Sequence, residues 1–318
     1  MTVLRADLHV HTCYSRHNGD LPFLGSRDCY SPPEAVYRVA RARGMDLVAI
    51  TDHDTIDGAL TLVERRPDAR DIIVGEEVSC WLPDSGIEVH LGVYGMTESL
   101  HRDLQPLRPN AFDVIERLRE AAVCFALNHL LHSYDTRVAI EDYLRLLDAV
   151  PALEVRNGTM LAAHNRLLED LAVAWPGPVS RLAVVAGSDA HTLRRVGTTW
   201  TEAPGRDADE FLSNVRAGLG RPAGRHGGAL AIAGDAYGVI GRFMASVSGV
   251  GPRDHHGWRR AGCLGFCLGS LPFQFLPVAI AARGKARERR KVRALAEWMA
   301  AEPLAARFEA VDMVRAEP

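Results

Sequence analysis

The chain has 318 residues, a formal net charge of −3 and a 47% share of hydrophobic residues. This composition suffices for a large buried core, and the lack of a basic excess argues against a protein that coats nucleic acid. The six cysteines form no Cys-x-x-Cys pair, and a predicted strand at residue 3 leaves no room for a secretion signal. We therefore expect reduced thiols and a cytoplasmic location.

Strand-like and helix-like segments alternate over the first 205 residues. The predicted strands are, in chain order, residues 3–10, 46–51, 71–80, 87–94, 123–127, 152–156 and 182–187. Predicted helices lie between or after them at residues 33–43, 57–65, 99–106, 110–121, 139–148, 161–174 and 207–217. Repeated strand–helix units predict an α/β fold with a parallel sheet, either open or closed into a barrel.

The sequence changes in character after residue 222, where a glycine-rich joint leads into a mainly helical extension, residues 223–318. Residues 261–282 carry no charged side chain, and residues 283–293 contain seven Lys or Arg against one Glu. The uncharged run has the length of a membrane span, but its prolines, glycines and glutamine favour a buried or interfacial hairpin packed on the barrel. Membrane association through residues 261–293 is the alternative, and the basic run is expected to be a solvated helix face.

The run Asp7-Leu8-His9-Val10-His11 lies at the end of the first predicted strand. Because successive side chains of a strand point to opposite faces, Asp7, His9 and His11 share one face. A carboxylate and two imidazoles are costly to bury unless something binds them, and a divalent metal is the commonest reason for such a row. The run therefore predicts one wall of a metal site.

Further polar residues follow other predicted strands in the same way: Asp52, His53, Glu76, Glu77, His129, Asn157, Asp189 and His191. In barrels built from strand–helix units, the chemistry lies at the carboxyl ends of the strands. Nitrogen and oxygen ligands that converge from several strand ends suit zinc, manganese or iron. We therefore expect these blocks to meet at a single metal centre.

The ordered motifs His-x-His, Thr-Asp-His, Gly-x-Glu, a lone His after a strand and Asp-Ala-His resemble those of the polymerase and histidinol phosphatase (PHP) superfamily. The resemblance covers about residues 3–200. It implies a distorted (β/α)7 barrel in residues 1–222, with two or three divalent metal ions. It also implies hydrolysis of a phosphate ester by a metal-activated water. It leaves the extension, residues 223–318, unexplained.

The resemblance also implies a set of metal ligands: His9, His11, His53, Glu77, His129, Asp189 and His191. Glu77 is implied to bridge two ions and is preferred to Glu76, because the family glutamate is the second residue after the glycine. His17, Asp20 and His90 stay open as further ligands. Asp189 and His191 are the candidates for proton transfer. The metal is zinc, manganese or iron, and the ligand types do not choose among them.

Two further groups of residues complete the expected site. Asp7 and Asp52 are expected to orient the ligand histidines. The candidates for substrate contact lie near the motifs and are Arg16, Arg156, Asn157, Arg194 and Arg195. The cationic ones would complete a clamp on the phosphate.

Several functions stay open at this point. Residues 1–220 present no basic surface interleaved with aromatic residues, which favours a small phosphorylated substrate or nucleotide over nucleic acid. A 5′-3′ exonuclease or oligonucleotide phosphodiesterase of the same family is the first alternative. An amidohydrolase with a metal-bridging lysine is disfavoured, because residues 1–220 contain no lysine. A non-catalytic metal-binding interaction module is the last alternative.

Overall fold

A computed structural model describes residues 2–15, 26–135, 140–175, 182–250 and 257–301. The strands are β1 (Val3–Asp7), β2 (Leu47–Ile50), β3 (Ile72–Trp81), β4 (Glu88–Tyr94), β5 (Cys124–Leu127), β6 (Ala152–Asn157), β7 (Ala183–Gly187), β8 (Thr199–Pro204) and β9 (Arg221–Gly224). The helices are α1 (Pro33–Ala42), α2 (Asp57–Arg65), α3 (Glu98–Leu104), α4 (Ala111–Glu120), α5 (Leu130–Ser133), α6 (Ile140–Ala149), α7 (Ala162–Ala174), α8 (Ala208–Asn214), α9 (Ala229–Ser248), α10 (Gly257–Gly269) and α11 (Leu276–Ala301).

These strands form one sheet in the order β7-β6-β5-β4-β3-β2-β1-β8-β9. Strands β1 to β3 run parallel to one another, as do β5 to β7, whereas β4 is antiparallel to both of its neighbours. A β-bridge between Val10 and Ala190 brings the end of β7 against the end of β1, so the sheet is nearly closed. The expected α/β barrel with a helical carboxyl-terminal part is therefore confirmed.

The first seven strands lie where the sequence pattern predicts them, but β8 and β9 were not predicted. Both pair antiparallel, β8 with β1 and β9 with β8. Strand β9 consists of Arg-Pro-Ala-Gly, residue types that are mostly poor strand formers, so its conformation comes from pairing with β8 rather than from local preference. The predicted domain boundary after residue 222 falls inside this strand.

The barrel strands are apolar because the structure covers them on both faces. Every residue of β2 and of β5 is buried. Helices α4, α6 and α7 lay Leu118, Leu147 and Leu168 onto the largest apolar cluster, and Leu295 of α11 joins the same cluster. This packing holds the strand ends in place, and it thereby also fixes the start of the polar loops that follow them.

Helix α11 is fixed to the barrel by buried polar contacts as well. Glu288 Oε1 accepts a hydrogen bond from Leu161 N at 2.7 Å and lies 3.0 Å from His164 Nδ1. Lys285 Nζ lies 2.6 Å from the other Glu288 oxygen and donates to the Thr159 carbonyl at 2.7 Å. Burial alone would raise the pKa of Glu288, but the hydrogen bonds from His164 and Lys285 lower it to about 2. Glu288 is therefore ionised at neutral pH and ties α11 to the start of α7.

Helix α9 is joined to the barrel at a second buried ion pair. Asp235 of α9 pairs with Arg195, which lies in the loop after β7, and accepts a hydrogen bond from Thr192 Oγ1 at 3.0 Å. The other side of the Arg195 guanidinium donates to the Gly158 carbonyl at 2.7 Å. Since a buried charge without its partner is strongly destabilising, these contacts make the extension an integral part of the barrel rather than a loose appendage.

The uncharged segment 261–282 is mostly exposed, so the expected hairpin is not buried, whereas an interfacial one stays a prediction. Only Cys263 and Ala281 are buried in it, whereas Leu268 and Phe275 keep 68% and 62% of their surface exposed. By length and composition, α9 is apolar enough to cross a membrane. Helices α10 and α11, which meet at a bend of 51°, pass the same test when taken together.

Candidate metal centre

The predicted polar blocks meet at one end of the barrel, because each follows or ends a different strand. His9 and His11 follow β1, His53 follows β2, and His129 follows β5. A bridge between His53 and Glu77 brings the β2 loop against β3, as the Val10–Ala190 bridge does for β1 and β7. The strand topology therefore makes neighbours of residues that are far apart in the sequence.

Glu77 lies at the centre of the cluster and is fully buried. Imidazole nitrogens of five histidines lie 3.0–3.3 Å from one or other of its carboxylate oxygens: His9, His11 and His53 at Oε2, and His90 and His129 at Oε1. Both oxygens are thus surrounded by imidazole nitrogens, so each oxygen could hold a divalent cation together with the neighbouring histidines. The neighbouring Glu76 points elsewhere and lies 2.7 Å from His101 Nδ1.

Asp189 closes the other side of the cluster. Its Oδ1 lies 3.5 Å from His11 Nε2 and from His191 Nδ1, and 3.6 Å from His9 Nε2. The backbone of Asp189 has a φ of 52° and that of His129 a φ of 27°, both in the left-handed region that non-glycine residues rarely adopt. Such strained conformations concentrate at functional sites, where the surrounding structure enforces them.

Asp28 is a member of the cluster that sequence reasoning missed. Its Oδ2 lies 3.6 Å from His191 Nε2 and 4.0 Å from His53 Nε2, and it accepts a hydrogen bond from Ser15 Oγ. Asp28 lies in an insertion without strand or helix periodicity, so no pattern pointed to it. The only available signal was that this insertion directly follows the His-x-His motif. The open candidates His17 and Asp20 lie outside the described residues.

Glu154 on β6 is a second buried carboxylate that sequence reasoning missed. Its Oε1 lies 2.9 Å from His9 Nδ1, and its Oε2 accepts from His129 N and Asn157 Nδ2 at 3.0 Å each. It therefore orients one ligand imidazole and the backbone of another, as carboxylates behind metal-binding histidines do. Asn157 Nδ2 also lies 3.3 Å from Asp189 Oδ2, which places this candidate beside the cluster.

Among the described residues, Asp7 and Asp52 accept hydrogen bonds from Ser188, Gly197 and Thr12, and not from the imidazole rings that they were expected to orient. Asp7 accepts hydrogen bonds from Ser188 N at 2.8 Å and Gly197 N at 2.7 Å. Asp52 accepts from the N–H and hydroxyl of Thr12, at 2.5 and 2.7 Å. The two aspartates fix the loops after β7 and β1, and so act on the ligands through the chain.

The arginines proposed for substrate contact are directed away from the cluster. Arg156 pairs with Glu169 of α7 at 2.6 Å, Arg195 pairs with Asp235, and Arg194 lies against α9. A register irregularity between Glu154 and Arg156 explains the first case, because it breaks the alternation that would have placed both on one face. Arg16 lies outside the described residues.

The donor set fits divalent cations. Four groups of three or four side chains each place ligand atoms within 4.8 Å of one another: His11, Asp28, His53 and His191; His9, His129 and Asp189; His9, His11 and Glu77; and His53, Glu77 and His90. Within the described residues, neither ring nitrogen of the fully buried His11 has a hydrogen-bond partner. Its Nε2 has the carboxylates of Glu77 and Asp189 beside it, at 3.3 and 3.5 Å. A buried imidazole that makes no hydrogen bond is costly, and a metal ion would satisfy it.

The electrostatics of the cluster favour positive charge at its centre. Burial alone would raise the pKa values of Glu77 and Asp189, but His9 and the surrounding imidazoles hold both pKa values well below their usual range. Burial would lower the pKa of His9, yet Glu77, Glu154 and Asp189 raise it well above its usual value. At His53 burial prevails over Glu77 and lowers the pKa. Two ionised carboxylates in a buried site need cationic partners, and divalent ions would supply that charge.

A cavity of about 920 Å³ opens onto the cluster. Glu77, His90, His129, Asp189 and His191 form part of its wall, and Arg287, Arg290 and Lys291 of α11 line it as well. These three cations were expected on a solvated helix face. Sequence reasoning missed their role, because only the docking of α11 on the barrel brings them to the cavity.

Comparison with known proteins finds the PHP-associated family model in residues 180–219, which include β7, the Asp-Ala-His motif and α8. The chain is 34% identical over 76 residues to the uncharacterized protein MJ1587 of Methanocaldococcus jannaschii. That alignment covers 24% of this chain and 44% of the relative, so the chain matches less than half of the relative's length.

Among solved structures, one similar protein is a two-domain protein of Bacteroides vulgatus ATCC 8482, described as containing a predicted PHP-like metal-dependent phosphoesterase. It has 16% identity and a TM-score of 0.47, covering 76% of this chain and 69% of its own. PsfC of Pseudomonas syringae PB-5123 has 18% identity and a TM-score of 0.49, covering 77% of this chain and 99% of its own. At such identities these structures say nothing of substrate or reaction.

Three observations on the chain itself carry its resemblance to the superfamily. The motifs occur in the order expected of the superfamily, their side chains converge on Glu77 at the strand ends, and the PHP-associated model matches the segment that carries Asp189 and His191. The chain therefore resembles the polymerase and histidinol phosphatase superfamily in its ordered motifs, and it matches the PHP-associated model over residues 180–219.

Proposed function

We propose that the protein hydrolyses phosphate esters of small molecules with the help of two or three divalent cations of zinc, manganese or iron. The observation that carries the proposal is the position of Glu77, whose two oxygens each lie within 3.3 Å of histidine nitrogens at the wall of an open cavity. Such a carboxylate suits two cations, and two adjacent cations are the usual device for phosphoester hydrolysis.

Bound cations would lower the pKa of a coordinated water towards neutrality and neutralise charge on the phosphoryl oxygens. His9, His11, Glu77 and Asp189 would hold one ion, His129 with Glu77 a second, and His53, His191 and Asp28 a third. His90 Nδ1 lies 3.3 Å from Glu77 Oε1, where it would act as an additional ligand or as a contact to the phosphate.

The remaining polar residues order the site and handle protons. Asp189 Oδ2 is held by Thr159 Oγ1 at 3.1 Å and by Asn157, which leaves Oδ1 directed at the histidines. His191 keeps 27% of its side chain exposed and lines the cavity, so it can exchange a proton with a leaving group there. Its Nδ1 lies 3.5 Å from Asp189 Oδ1, so the ring stands directly beside the cluster.

The proposal is tested by metal removal and substrate choice. The purified protein is expected to hydrolyse p-nitrophenyl phosphate, to lose this activity after treatment with a chelator, and to regain it on addition of Mn²⁺, Zn²⁺ or Fe²⁺. The bis(p-nitrophenyl) ester and a short oligonucleotide, assayed in parallel, distinguish a phosphomonoesterase from a nuclease. Hydrolysis that is unaffected by the chelator, with metal content by mass spectrometry showing full removal, would contradict the proposal.

A further inference from the structure

The carboxyl-terminal helix α11 supplies a row of cations to the cavity that contains the metal cluster. Arg287, Arg290 and Lys291 stand at positions i, i+3 and i+4, which lie on one face of a helix. The helix is held by its buried residues Lys285 and Glu288, so this row has a fixed place relative to the cluster.

Lys291 also anchors the row to the loop that carries a metal-ligand candidate. Its Nζ donates to the carbonyls of Leu131 and His132 at 3.0 and 2.7 Å, directly after His129. Burial lowers the pKa of Lys291, and the nearby Arg287 lowers it further. Lys291 thus fixes the position of this part of α11 against the loop after β5, and its charge adds to that of the two arginines.

The two arginines are available to bind a ligand. Both side chains are exposed, and neither makes a hydrogen bond or ion pair with another residue in the part of the chain that the structure describes. Glu88 and Asp135 also line the cavity, and Glu88 lies 3.5 Å from His90. The helix therefore presents a cationic side of the cavity, separate from the metal cluster.

We propose that Arg287 and Arg290 form an anion subsite for a second phosphate or carboxylate group of the substrate, whose scissile phosphate lies at the histidine–carboxylate cluster. The cavity of about 920 Å³ has room for both groups. Arginine suits this role because its planar fork binds oxyanions in a bidentate manner. The subsite rests on the proposed function and narrows its substrate class to small molecules with two anionic groups.

The subsite is tested with two non-hydrolysable probes, propylphosphonate and propane-1,3-bisphosphonate, titrated calorimetrically into the metal-loaded protein. The wild type is expected to bind the bisphosphonate at least about tenfold more tightly than the phosphonate, the effect of one or two charge-assisted hydrogen bonds. The double variant Arg287→Gln/Arg290→Gln should lose this preference and keep the affinity for propylphosphonate. Arg289→Gln/Arg293→Gln, whose arginines lie on α11 outside the cavity, is the matched control.

The outcomes separate this proposal from the proposed function. Equal affinity of wild type and the Arg287/Arg290 variant for the bisphosphonate, with hydrolysis of p-nitrophenyl phosphate intact, overturns the subsite. Conversely, a selective loss of bisphosphonate affinity in that variant supports the subsite, even if the wild type hydrolyses no phosphate ester.

A different observation concerns the outer face of the extension. We define the apolar elbow as residues 266–280, the end of α10, the bend of 51° and the start of α11. Its exposed large side chains are Phe266, Leu268, Leu271, Phe273, Phe275, Leu276, Val278 and Ile280. Soluble proteins rarely expose so many adjacent large apolar groups to water.

We infer that the apolar elbow inserts into the surface of an anionic lipid bilayer. The elbow itself is uncharged, and exposed Arg259 and Arg283 flank it on the two helices, where they would meet lipid phosphates. Trp258, with 84% of its surface exposed, adds the residue type that favours the membrane interface. The bend and the prolines at 272 and 277 suit shallow insertion better than a straight span.

Sedimentation with vesicles tests this surface. The full chain is expected to sediment with vesicles of phosphatidylcholine and phosphatidylglycerol, and much less with phosphatidylcholine alone. Phe273→Ser/Phe275→Ser should abolish sedimentation, whereas Val173→Ser, which alters an exposed apolar residue of α7, should not. If the wild type stays in the supernatant, or if it is a dimer without lipid that the double substitution dissociates, the elbow binds no bilayer.

Discussion

Replacement of Glu77 by glutamine is expected to lower the rate of phosphate ester hydrolysis by about a thousandfold or more, equivalent to about 4 kcal/mol of transition-state stabilisation. The reason is geometric and electrostatic. Both Glu77 oxygens lie within 3.3 Å of imidazole nitrogens, so a neutral amide would remove the negative charge that the proposed cations require and would place an N–H group where one of them would bind. The kcat for p-nitrophenyl phosphate and the metal content by mass spectrometry measure the effect, and both should fall.

The adjacent residue provides the control for this change. Glu76 is also fully buried on β3, but it points to the other face and pairs with His101. Glu76→Gln should therefore retain the metal content and most of the activity, although it loses a charged hydrogen bond. Wild-type metal content and turnover in Glu77→Gln would contradict the role assigned to this carboxylate.

The sequence predicts the convergence of the histidines and carboxylates where the signal is local. The His-x-His and Asp-Ala-His motifs and Glu77 each stand beside an apolar strand, and the barrel topology brings strand ends together whatever lies between them. The same reasoning overlooked β9, whose conformation depends on its partner β8 rather than on its own residues.

The residues that the sequence could not supply are those placed by tertiary packing. Asp28 reaches the cluster from an aperiodic insertion, and Arg287 reaches the cavity only because Lys285 and Glu288 dock α11 on the barrel. Arg156 shows the reverse error, since nearness in sequence to a motif suggested a substrate contact. A register irregularity in β6 directs it outwards instead. Nearness in sequence to a metal-site motif thus does not predict which residues line the cavity.

Replacement of Gly187 by alanine is expected to destabilise the protein by about 3 kcal/mol or more and to reduce its metal content. A Cβ atom at Gly187 would lie 2.3 Å from the Cβ and 2.6 Å from the backbone nitrogen of His9. Neither strand can yield easily, because β7 is paired with β6 and β1 is held between β2 and β8. The clash would therefore displace the first ligand strand from Glu77 and Glu154.

Urea unfolding followed by circular dichroism, together with metal analysis, measures this effect. Gly284→Ala in α11 is the matched control, because a Cβ there would meet no described atom within 4 Å. A glycine in a helix interior costs up to about 1 kcal/mol relative to alanine, so the control should be neutral or more stable than the wild type. A Gly187→Ala protein with unchanged stability and metal content would show that the end of β7 is not packed against His9, the residue that follows β1 in the His-x-His motif. That outcome would contradict the close contact between Gly187 and His9, which places His9 beside Asp189.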